Sequence, residues 1–220
     1  MALFVVATPI GNPQDISARA LETLRTADLI IGEELKVLRQ QMKSAGINGV
    51  PLEQLNEHSD AQDIQHFLNE CKNKKVALVS DCGTPGFCDP GSDLVAACAK
   101  AEVPVHAVPG ASSLMALLSV CGVRLEQFLF HGFLPAKTET REAALKTLVR
   151  ETKPFIVMET PYRCEKLMQD LSVHFPQRRC VVGLNLTQES ERVIRALGKD
   201  LIRQSPAVKE SEPIVLVLPN

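Results

Sequence analysis

The chain has 220 residues, of which 45% are hydrophobic and 23% charged, so a mostly disordered chain and a fibrous one are excluded. The 24 Lys and Arg residues nearly balance the 26 Asp and Glu residues, so composition predicts no general attraction for nucleic acid or anionic membranes. No apolar run approaches the roughly 18 residues of a membrane span. The first residues lead into an apolar strand without a basic region, which predicts a cytoplasmic protein without a secretory signal.

The seven cysteines predict neither a disulfide framework nor a metal site. Their number is odd, no two of them form C-x-x-C, and no pair of histidines has the spacing of metal ligands. We therefore expect a reduced setting, no bound metal, and cysteines that act as small apolar side chains.

Strands alternate with helices along the first two thirds of the chain. The predicted strands are short runs rich in Val, Ile, Leu and Phe, namely Leu3–Ala7, Leu29–Ile31, Val76–Val79, Val103–Val108, Phe128–Phe133, Phe155–Met158, Cys180–Leu186 and Ile214–Leu218. They lack clean polar alternation, which is typical of strands covered on both faces. The pattern predicts an α/β fold with a largely parallel sheet.

Three helices are predicted from periodicity and capping signals. Ser59 and Gln62 form a candidate capping box, followed by an apolar face of Ile64, Phe67, Leu68 and Cys71. Thr160 is a candidate N-cap with Pro161 in the first turn, followed by an apolar face of Cys164, Leu167, Met168 and Leu171. The third helix is Ser112–Cys121.

The last third has closely spaced strands, with Arg192–Ala196 added between two of the runs above, which suggests antiparallel pairing. We expect a domain boundary near 122–124, giving an N-terminal domain of residues 1–122 and a C-terminal domain of residues 123–220. The N-terminal sheet should be mostly parallel and the C-terminal sheet mixed.

Three loops follow predicted strands and precede predicted helices, where ligands bind in a parallel sheet. They are Ala7–Asp15, Ser80–Gly91 and Val108–Ser113. The second holds three glycines, two prolines and two aspartates, far more than a plain connection needs, so its backbone can approach a ligand closely. None of the three has the spacing of a dinucleotide or Walker phosphate loop.

Basic residues concentrate in the second half: Lys137, Arg141, Lys146, Arg150, Arg163, Arg178 and Arg179. They could form a phosphate-binding surface, but a solvated helix face is the favoured interpretation. Trp is absent and Tyr162 is the only tyrosine, so few aromatic side chains are available to stack on the bases of single-stranded RNA.

Several short motifs follow one another in order over nearly the whole chain. They are V-A-T-P-I-G-N at 6–12, A-L-E-T-L at 20–24, the 81–91 loop, V-P-G-A-S-S at 108–113, H-G-F-L-P-A-K at 131–137, E-T-P-Y-R at 159–163 and I-V-L-V-L near the end. In this order they resemble the tetrapyrrole-methylase superfamily of S-adenosylmethionine (SAM) dependent methyltransferases. The branch that the chain resembles most methylates a ribose 2′-hydroxyl of small-subunit ribosomal RNA.

This resemblance implies two α/β domains with SAM in the cleft between them, S-adenosylhomocysteine as the product, and a homodimer. The implied cofactor contacts are Ile10, Ser80, Asp81, Cys82, Phe87, Ser112, Ser113, Met158 and Leu186. Two features depart from the ribosomal RNA branch: its A-E-D-T-R-H-T segment is replaced at 32–39 by G-E-E-L-K-V-L-R, and its further C-terminal extension is not in this sequence.

Methyl transfer from a sulfonium requires mainly that nucleophile, methyl and sulfur are held in line. A hydroxyl nucleophile would also use a general base, for which Asp81, Glu159 and His131 are candidates. Each also has a structural interpretation: a turn cap for Asp81, an ion pair with Arg163 for Glu159, and a strand position for His131. Besides ribosomal RNA, a tetrapyrrole or other small-molecule substrate and a SAM-binding protein without catalysis both stay open.

Overall fold

The computed structural model describes residues 1–203 and 211–219 and confirms the α/β fold. The described chain divides into two compact units, Met1–Ser112 and Ser113–Asn220. The sequence analysis set this division after the third helix; in the structure it lies before that helix, which packs against the second sheet.

The first unit contains a five-stranded sheet and four α-helices. Its strands are β1 Ala2–Val6, β2 Leu29–Gly32, β3 Leu52–Gln54, β4 Lys75–Leu78 and β5 Val105–Val108, in the spatial order β3-β2-β4-β1-β5. Its helices are α1 Ala18–Arg25, α2 Leu35–Ser44, α3 Ala61–Asn73 and α4 Ser92–Lys100. All four strand pairings are parallel, as predicted.

Both faces of this sheet are covered. Leu29 and Ile31 pack in a core with side chains of α3 and α4, whereas Ile30 packs with those of α1 and α2 on the other face. Successive strand residues point to opposite faces, so both neighbours must be apolar. This explains why the strands lack polar alternation.

The described residues of the second unit form a mixed sheet and four α-helices. Its strands are β6 Leu129–Phe133, β7 Phe155–Met158, β8 Arg179–Leu184, β9 Arg192–Leu197 and β10 Pro213–Val217, in the order β6-β7-β10-β8-β9. Its helices are α5 Ser113–Val120, α6 Thr138–Val149, α7 Cys164–His174 and α8 Gly198–Leu201. The β6–β7 pair is parallel and the other three pairs are antiparallel, as predicted for a mixed sheet.

Two predicted helix starts were wrong in detail. The capping box of α3 is formed by Asp60 and Asp63, while Ser59 accepts a hydrogen bond from the Asn56 amide. Thr160 precedes a 3₁₀ turn at Pro161–Arg163, and α7 begins only at Cys164. The apolar face predicted for α7 is fully buried, as are Phe67, Leu68 and Cys71 of α3.

We predict that Asp60→Ala lowers the free energy of unfolding by about 0.5–2 kcal/mol, because the Asp60 carboxylate caps the amides of Gln62 and Asp63. Ser59→Ala is the matched control and should cost less, since its hydroxyl serves only the preceding turn. Urea denaturation of both variants measures the difference. Equal losses, or a larger loss in Ser59→Ala, would contradict this assignment of the cap.

Candidate active site

The three predicted loops lie at one edge of the first sheet. They follow β1, β4 and β5, which are neighbours in the order β4-β1-β5 and run parallel. The carboxyl ends of parallel strands meet at a single edge, so the three loops are brought together there.

Thr8 joins the first loop to the second. Its amide donates to the carbonyl of Gly83 at 2.8 Å, and the amide of Gly83 donates back to the carbonyl of Thr8 at 3.2 Å. The buried hydroxyl of Thr8 donates to the carbonyl of Ser80 at 3.2 Å. The second loop is therefore fixed to the end of β1, a role for Thr8 that its sequence neighbourhood did not reveal.

The third loop is joined to the second in a similar way. The hydroxyl of Thr84 donates to the carbonyl of Ala111 at 3.2 Å. Gly83 has a φ of +80°, a left-handed conformation that favours glycine. A side chain at Gly110 would meet the Cβ of Ala7 at 3.0 Å, so this glycine permits the close approach of the first and third loops.

The predicted cofactor residues of the first unit lie on these loops, in different surroundings. Ser80 is buried, and its hydroxyl donates to the carbonyl of Cys82 at 3.1 Å, so it shapes the loop. Cys82 and Phe87 are exposed, Phe87 by 52%. Ile10 contacts the position of Gly83, and Ser112 is half-buried at the end of the unit. The side chains most available to a ligand are thus those of the second loop.

Asp81 belongs to a group of carboxylates at this edge. Its Oδ1 accepts a hydrogen bond from the amide of Glu34 at 3.2 Å. Burial, and next the charges of Asp81 and Asp89, raise the pKa of Glu33. Burial also raises the pKa of Asp81, against the hydrogen bond from the Glu34 amide. We call Glu33, Asp81 and Asp89 the acidic rim.

Asp89 is the most strongly perturbed member of the acidic rim. Burial raises the pKa of Asp89 to about 6; a hydrogen bond with Ser80 lowers this pKa, and the charge of Asp81 raises it. Asp89 and Glu33 line a cavity of about 300 Å³ together with residues of α3, α4 and the segment after β3. Burial and the like charges of the neighbouring carboxylates both favour the protonated form of these side chains.

Two glutamine side chains, one on α2 and one on β3, donate hydrogen bonds to the segments that follow β4 and β2. Gln41 donates through Nε2 to the carbonyl of Asp81 at 2.6 Å and to that of Ser80 at 3.3 Å. Gln54 donates to the carbonyl of Glu33 at 2.8 Å. Sequence analysis missed these contacts because the two glutamines carry no signal of partners that lie 40 and 21 residues away along the chain.

The second unit carries the remaining predicted cofactor residues, Ser113, Met158 and Leu186. Ser113 begins α5, and Met158 is the half-buried last residue of β7. Leu186 is buried just beyond β8, which ends two residues earlier than predicted because Asn185 takes a left-handed φ of +49°. Thr187 also has a positive φ, of +69°, a rare conformation for a β-branched residue. Such strain is typical of functional segments.

Glu159 is an anchored side chain. Its Oε2 accepts from Nη1 of Arg141 at 2.6 Å, and its Oε1 pairs with Nη2 of Arg163 at 2.7 Å and accepts from the amide of Thr160 at 2.9 Å. The side chain is fully buried. With both oxygens engaged by cations, Glu159 is better suited to holding this segment than to taking a proton.

Arg141 is buried, with 4% exposure, which corrects its assignment to a solvated face. Its Nε pairs with Asp170 at 2.6 Å, and its Nη1 donates to the carbonyl of Pro135 as well as to Glu159. Burial by itself would lower the pKa of Arg141, but Glu159 and Asp170 raise it, so this cation stays charged. Removing one partner of such a buried pair costs about 3–5 kcal/mol.

Arg178 is the second basic residue that is not solvated. It is buried, donates to the carbonyls of Val149 and Glu151, and lies over the rings of Phe155 and Phe175 at 5.7 and 5.5 Å. Arg178 thus attaches the backbone at the end of α6 to the hydrophobic core, so its role is structural.

His131 lies in β6 at an irregularity of the β6–β7 pairing. Phe130 pairs with Ile156 and Gly132 with Val157, so His131 is the extra residue of a bulge. Bulges re-aim a side chain and are frequent beside active sites. Burial lowers the pKa of His131, which keeps the imidazole neutral and able to accept a proton.

Among residues 1–203 and 211–219, no cluster of three or more His, Cys, Asp or Glu side chains could hold a metal ion. Within the same residues, no helix combines the length and apolar character needed to cross a membrane.

Comparison with known proteins identifies the family. Residues 2–202 match the family model of the tetrapyrrole (corrin/porphyrin) methylases. The chain belongs to this family. The Pseudomonas aeruginosa protein named ribosomal RNA small subunit methyltransferase I is 36% identical over 98% of this chain and 78% of its own length.

Proteins of the same name occur in other bacteria. That of Neisseria meningitidis serogroup B is 40% identical over 86% of this chain, and this chain spans 65% of the length of that relative. That of Leptospira biflexa is 35% identical over 98% of this chain and 90% of its own length.

Solved structures show the same fold at low identity. A diphthine synthase aligns with a TM-score of 0.76 at 16% identity, over all of this chain and 90% of that one. A uroporphyrin-III C-methyltransferase from Thermus thermophilus, complexed with S-adenosyl homocysteine, aligns with a TM-score of 0.66 at 16% identity, over 98% of this chain and 97% of that one. These likenesses confirm the two-unit α/β fold of the family.

The acidic rim predicts a pH dependence of stability. Because burial raises the folded pKa of Asp89 from 3.8 to about 6, the folded chain binds this proton more tightly than the unfolded chain does. The stability that this group contributes is therefore present below pH 4 and is lost as pH rises to about 6. Asp89→Asn should match the wild type near pH 4 and be more stable above pH 6.

Urea denaturation of both proteins at half-unit steps from pH 4 to 7.5 measures this difference. Asp93→Asn is the control, since its carboxylate lies in the first turn of α4 and lines the same cavity. If the difference in the free energy of unfolding between the wild type and Asp89→Asn does not change with pH, then the pKa of Asp89 is not raised in the folded chain.

Proposed function

We propose that this protein transfers a methyl group from SAM to a ribose 2′-hydroxyl of small-subunit ribosomal RNA. The observation that carries the proposal is the relationship with proteins named ribosomal RNA small subunit methyltransferase I, which extends over 98% of this chain at 36% identity. The position of the methylated atom rests on the motifs shared with the ribose-methylating branch.

The proposed cofactor contacts are Ile10, Ser80, Asp81, Cys82, Phe87 and Ser112 in the first unit, and Ser113, Met158 and Leu186 in the second. The first-unit set lies on loops that Thr8 and Thr84 fix to one another. Fixed loops support in-line transfer, because a displacement of about 1 Å at the reacting atoms lowers the reaction rate steeply. The acidic rim supports the binding of a cationic sulfonium.

The general base is proposed from the same three candidates. Glu159 is the least suited, since Arg141 and Arg163 occupy its oxygens. Asp81 is half-buried with a raised pKa, and His131 is half-buried with a lowered pKa. The raised pKa of Asp81 brings this group closer to neutral pH, where proton transfer is most effective, whereas the lowered pKa of His131 makes the imidazole a weaker base.

Methyl transfer from labelled SAM tests the function directly. Small ribosomal subunits, naked ribosomal RNA and precorrin-type tetrapyrroles are offered in parallel, and the product is digested to nucleosides. Label in a 2′-O-methylnucleoside is the expected result. Transfer to a tetrapyrrole, or cofactor binding without transfer to any substrate, would replace the ribosomal RNA proposal.

We also propose a cytoplasmic homodimer. Helix α5 is apolar on nearly all sides, yet it leaves Met115 60% exposed and Val120 38% exposed. A helix that is apolar all round is normally buried. A second copy of the chain covering α5 would remove this exposed surface.

Sedimentation equilibrium at micromolar concentration should give twice the 24.1 kDa mass of one chain. Met115→Asp should shift the equilibrium towards single chains because it would bury a charge in the interface. Val173→Asp is the control, an equally exposed apolar residue at the far end of α7. A single-chain mass for the wild type would overturn the dimer.

We predict that Asp81→Ala weakens SAM binding by roughly 10- to 150-fold, the equivalent of one charge-assisted hydrogen bond. Asp81→Asn keeps an oxygen for the Glu34 amide but removes the charge, so it should lose affinity to a similar degree. Asp81→Asn should unfold at least as late in urea as the wild type, because it relieves repulsion within the acidic rim and keeps the acceptor for the Glu34 amide. Calorimetric titration and urea denaturation provide the two measurements.

If Asp81 is only a turn cap, Asp81→Asn should bind SAM normally. Asp81→Ala should then lose about 0.5–2 kcal/mol of stability at unchanged affinity. That pattern would remove Asp81 from the cofactor site.

A further inference from the structure

Tyr162 is an aromatic side chain held out in solvent on a short turn. It is 77% exposed and lies in the 3₁₀ turn Pro161–Arg163 that follows β7. It is the only tyrosine of the chain, which has no tryptophan. An exposed aromatic ring is common on protein surfaces, so its meaning depends on how it is held and what surrounds it.

The turn that carries Tyr162 is held in place by contacts with the side chain of Glu159. The buried Glu159 carboxylate accepts from the Thr160 amide at 2.9 Å and pairs with Arg163 at 2.7 Å. Nε of Arg163 also donates to the hydroxyl of Thr160 at 3.1 Å. The residues on both sides of Tyr162 are thus tied to a buried anchor, and the backbone beneath the ring is ordered before any ligand arrives.

The ion pairs beneath the ring hold more cations than carboxylates. The guanidinium of Arg163 lies 5.6 Å from the ring centroid of Tyr162. Among the described residues, Arg141, Arg163 and Lys166 share two carboxylates, Glu159 and Asp170, so this ion-pair network has one more positive than negative charge. The side chain of Lys166 is 54% exposed, which leaves this charge at the surface.

A further lysine lies at the same edge of the second sheet. Because β6 and β7 are parallel, the segments that follow them share an edge, and Arg141 ties the two by bonding Pro135 and Glu159. The exposed Lys137 comes two residues after Pro135. This edge therefore combines a free aromatic face with cationic side chains.

We propose that Tyr162 and Arg163 form a stacking site for an unpaired nucleobase of the RNA substrate, with Lys137 and Lys166 contacting its phosphates. This inference rests on the proposed function and names the part of the chain that holds the RNA. Unpaired bases are recognised by stacking on aromatic rings and guanidinium planes, and the phosphates by lysines. The net charge of −2 does not oppose this, because the positive charge is local.

Tyrosine fluorescence tests the stacking directly, because all of the intrinsic tyrosine emission comes from Tyr162. A single-stranded RNA of about six nucleotides and inorganic polyphosphate of similar charge are titrated against the wild-type protein. N-acetyltyrosinamide corrects for absorption by the RNA. We expect the RNA to quench the emission and the polyphosphate to leave it unchanged.

Binding of the same RNA to three variants gives a second measurement. Tyr162→Ala should lose roughly 5- to 150-fold in affinity, the range for one stacked base, whereas Tyr162→Phe should stay within about twofold of wild type. Val173→Ala is the control, an exposed apolar residue at the other end of α7, and should bind as wild type. All three should unfold at the wild-type urea concentration and bind SAM with unchanged affinity.

The stacking site is overturned if bound RNA leaves the tyrosine emission unchanged, or if Tyr162→Ala binds the RNA with wild-type affinity. It is also overturned if polyphosphate quenches the emission as much as RNA does, or if S-adenosylhomocysteine alone quenches it. A changed sedimentation mass of Tyr162→Ala would overturn it as well. The methyl-transfer assay on small subunits separates this failure from that of the proposed function. A wild-type enzyme that methylates ribosomal RNA while Tyr162 stays unquenched rejects only the stacking site.

Discussion

A buried positive charge organises the second unit. Taking the guanidinium of Arg141 out of water is costly unless its charge is paired. Its Nε and Nη1 find acceptors, whereas its Nη2 is buried without a hydrogen-bond partner among the described residues. Its acceptors come from three segments: the carbonyl of Pro135 after β6, Glu159 after β7, and Asp170 on α7. These segments must therefore converge on one side chain, which fixes the edge of the sheet where the β6 and β7 loops emerge.

The first unit fixes its own loops by a different means. There the connections are backbone hydrogen bonds between Thr8 and Gly83 and hydrogen bonds from the hydroxyls of Thr8 and Thr84 to loop carbonyls. Neutral contacts of this kind leave the charges of the acidic rim uncompensated within the unit. One unit thus holds its loops with paired charges, and the other holds them with neutral hydrogen bonds.

Periodicity and turn chemistry predicted the parts of the fold that depend on local pattern. The apolar faces of α3 and α7 and the three loops were found because their signals lie within about a dozen residues of sequence. The strand β3, Leu52–Gln54, was missed because it is short and two of its three residues are polar. Asp60 was passed over for Ser59 because both are good caps, and only the backbone decides between neighbours.

Contacts between distant residues were beyond the reach of the sequence. The pairing of Arg141 with Glu159 and Asp170 spans 18 and 29 residues, so a single sequence gives the charges without their partners. The contact of Glu34 with Asp81 spans 47 residues, and the sequence analysis treated the segment of Glu34 only as a departure from a family motif. A cation on an amphipathic helix is usually solvated, and Arg141 is the exception that only three-dimensional packing reveals.

The acidic rim has a consequence for the order of events in the proposed reaction. SAM carries a positive sulfonium, and S-adenosylhomocysteine is the neutral thioether left when the methyl group departs. If SAM binds beside Asp81 as proposed, the charge of the acidic rim would attract the reactant more strongly than the product, because the product has lost the positive charge. Such a site would weaken its hold on the spent cofactor when the methyl group is transferred, which would favour turnover over product inhibition.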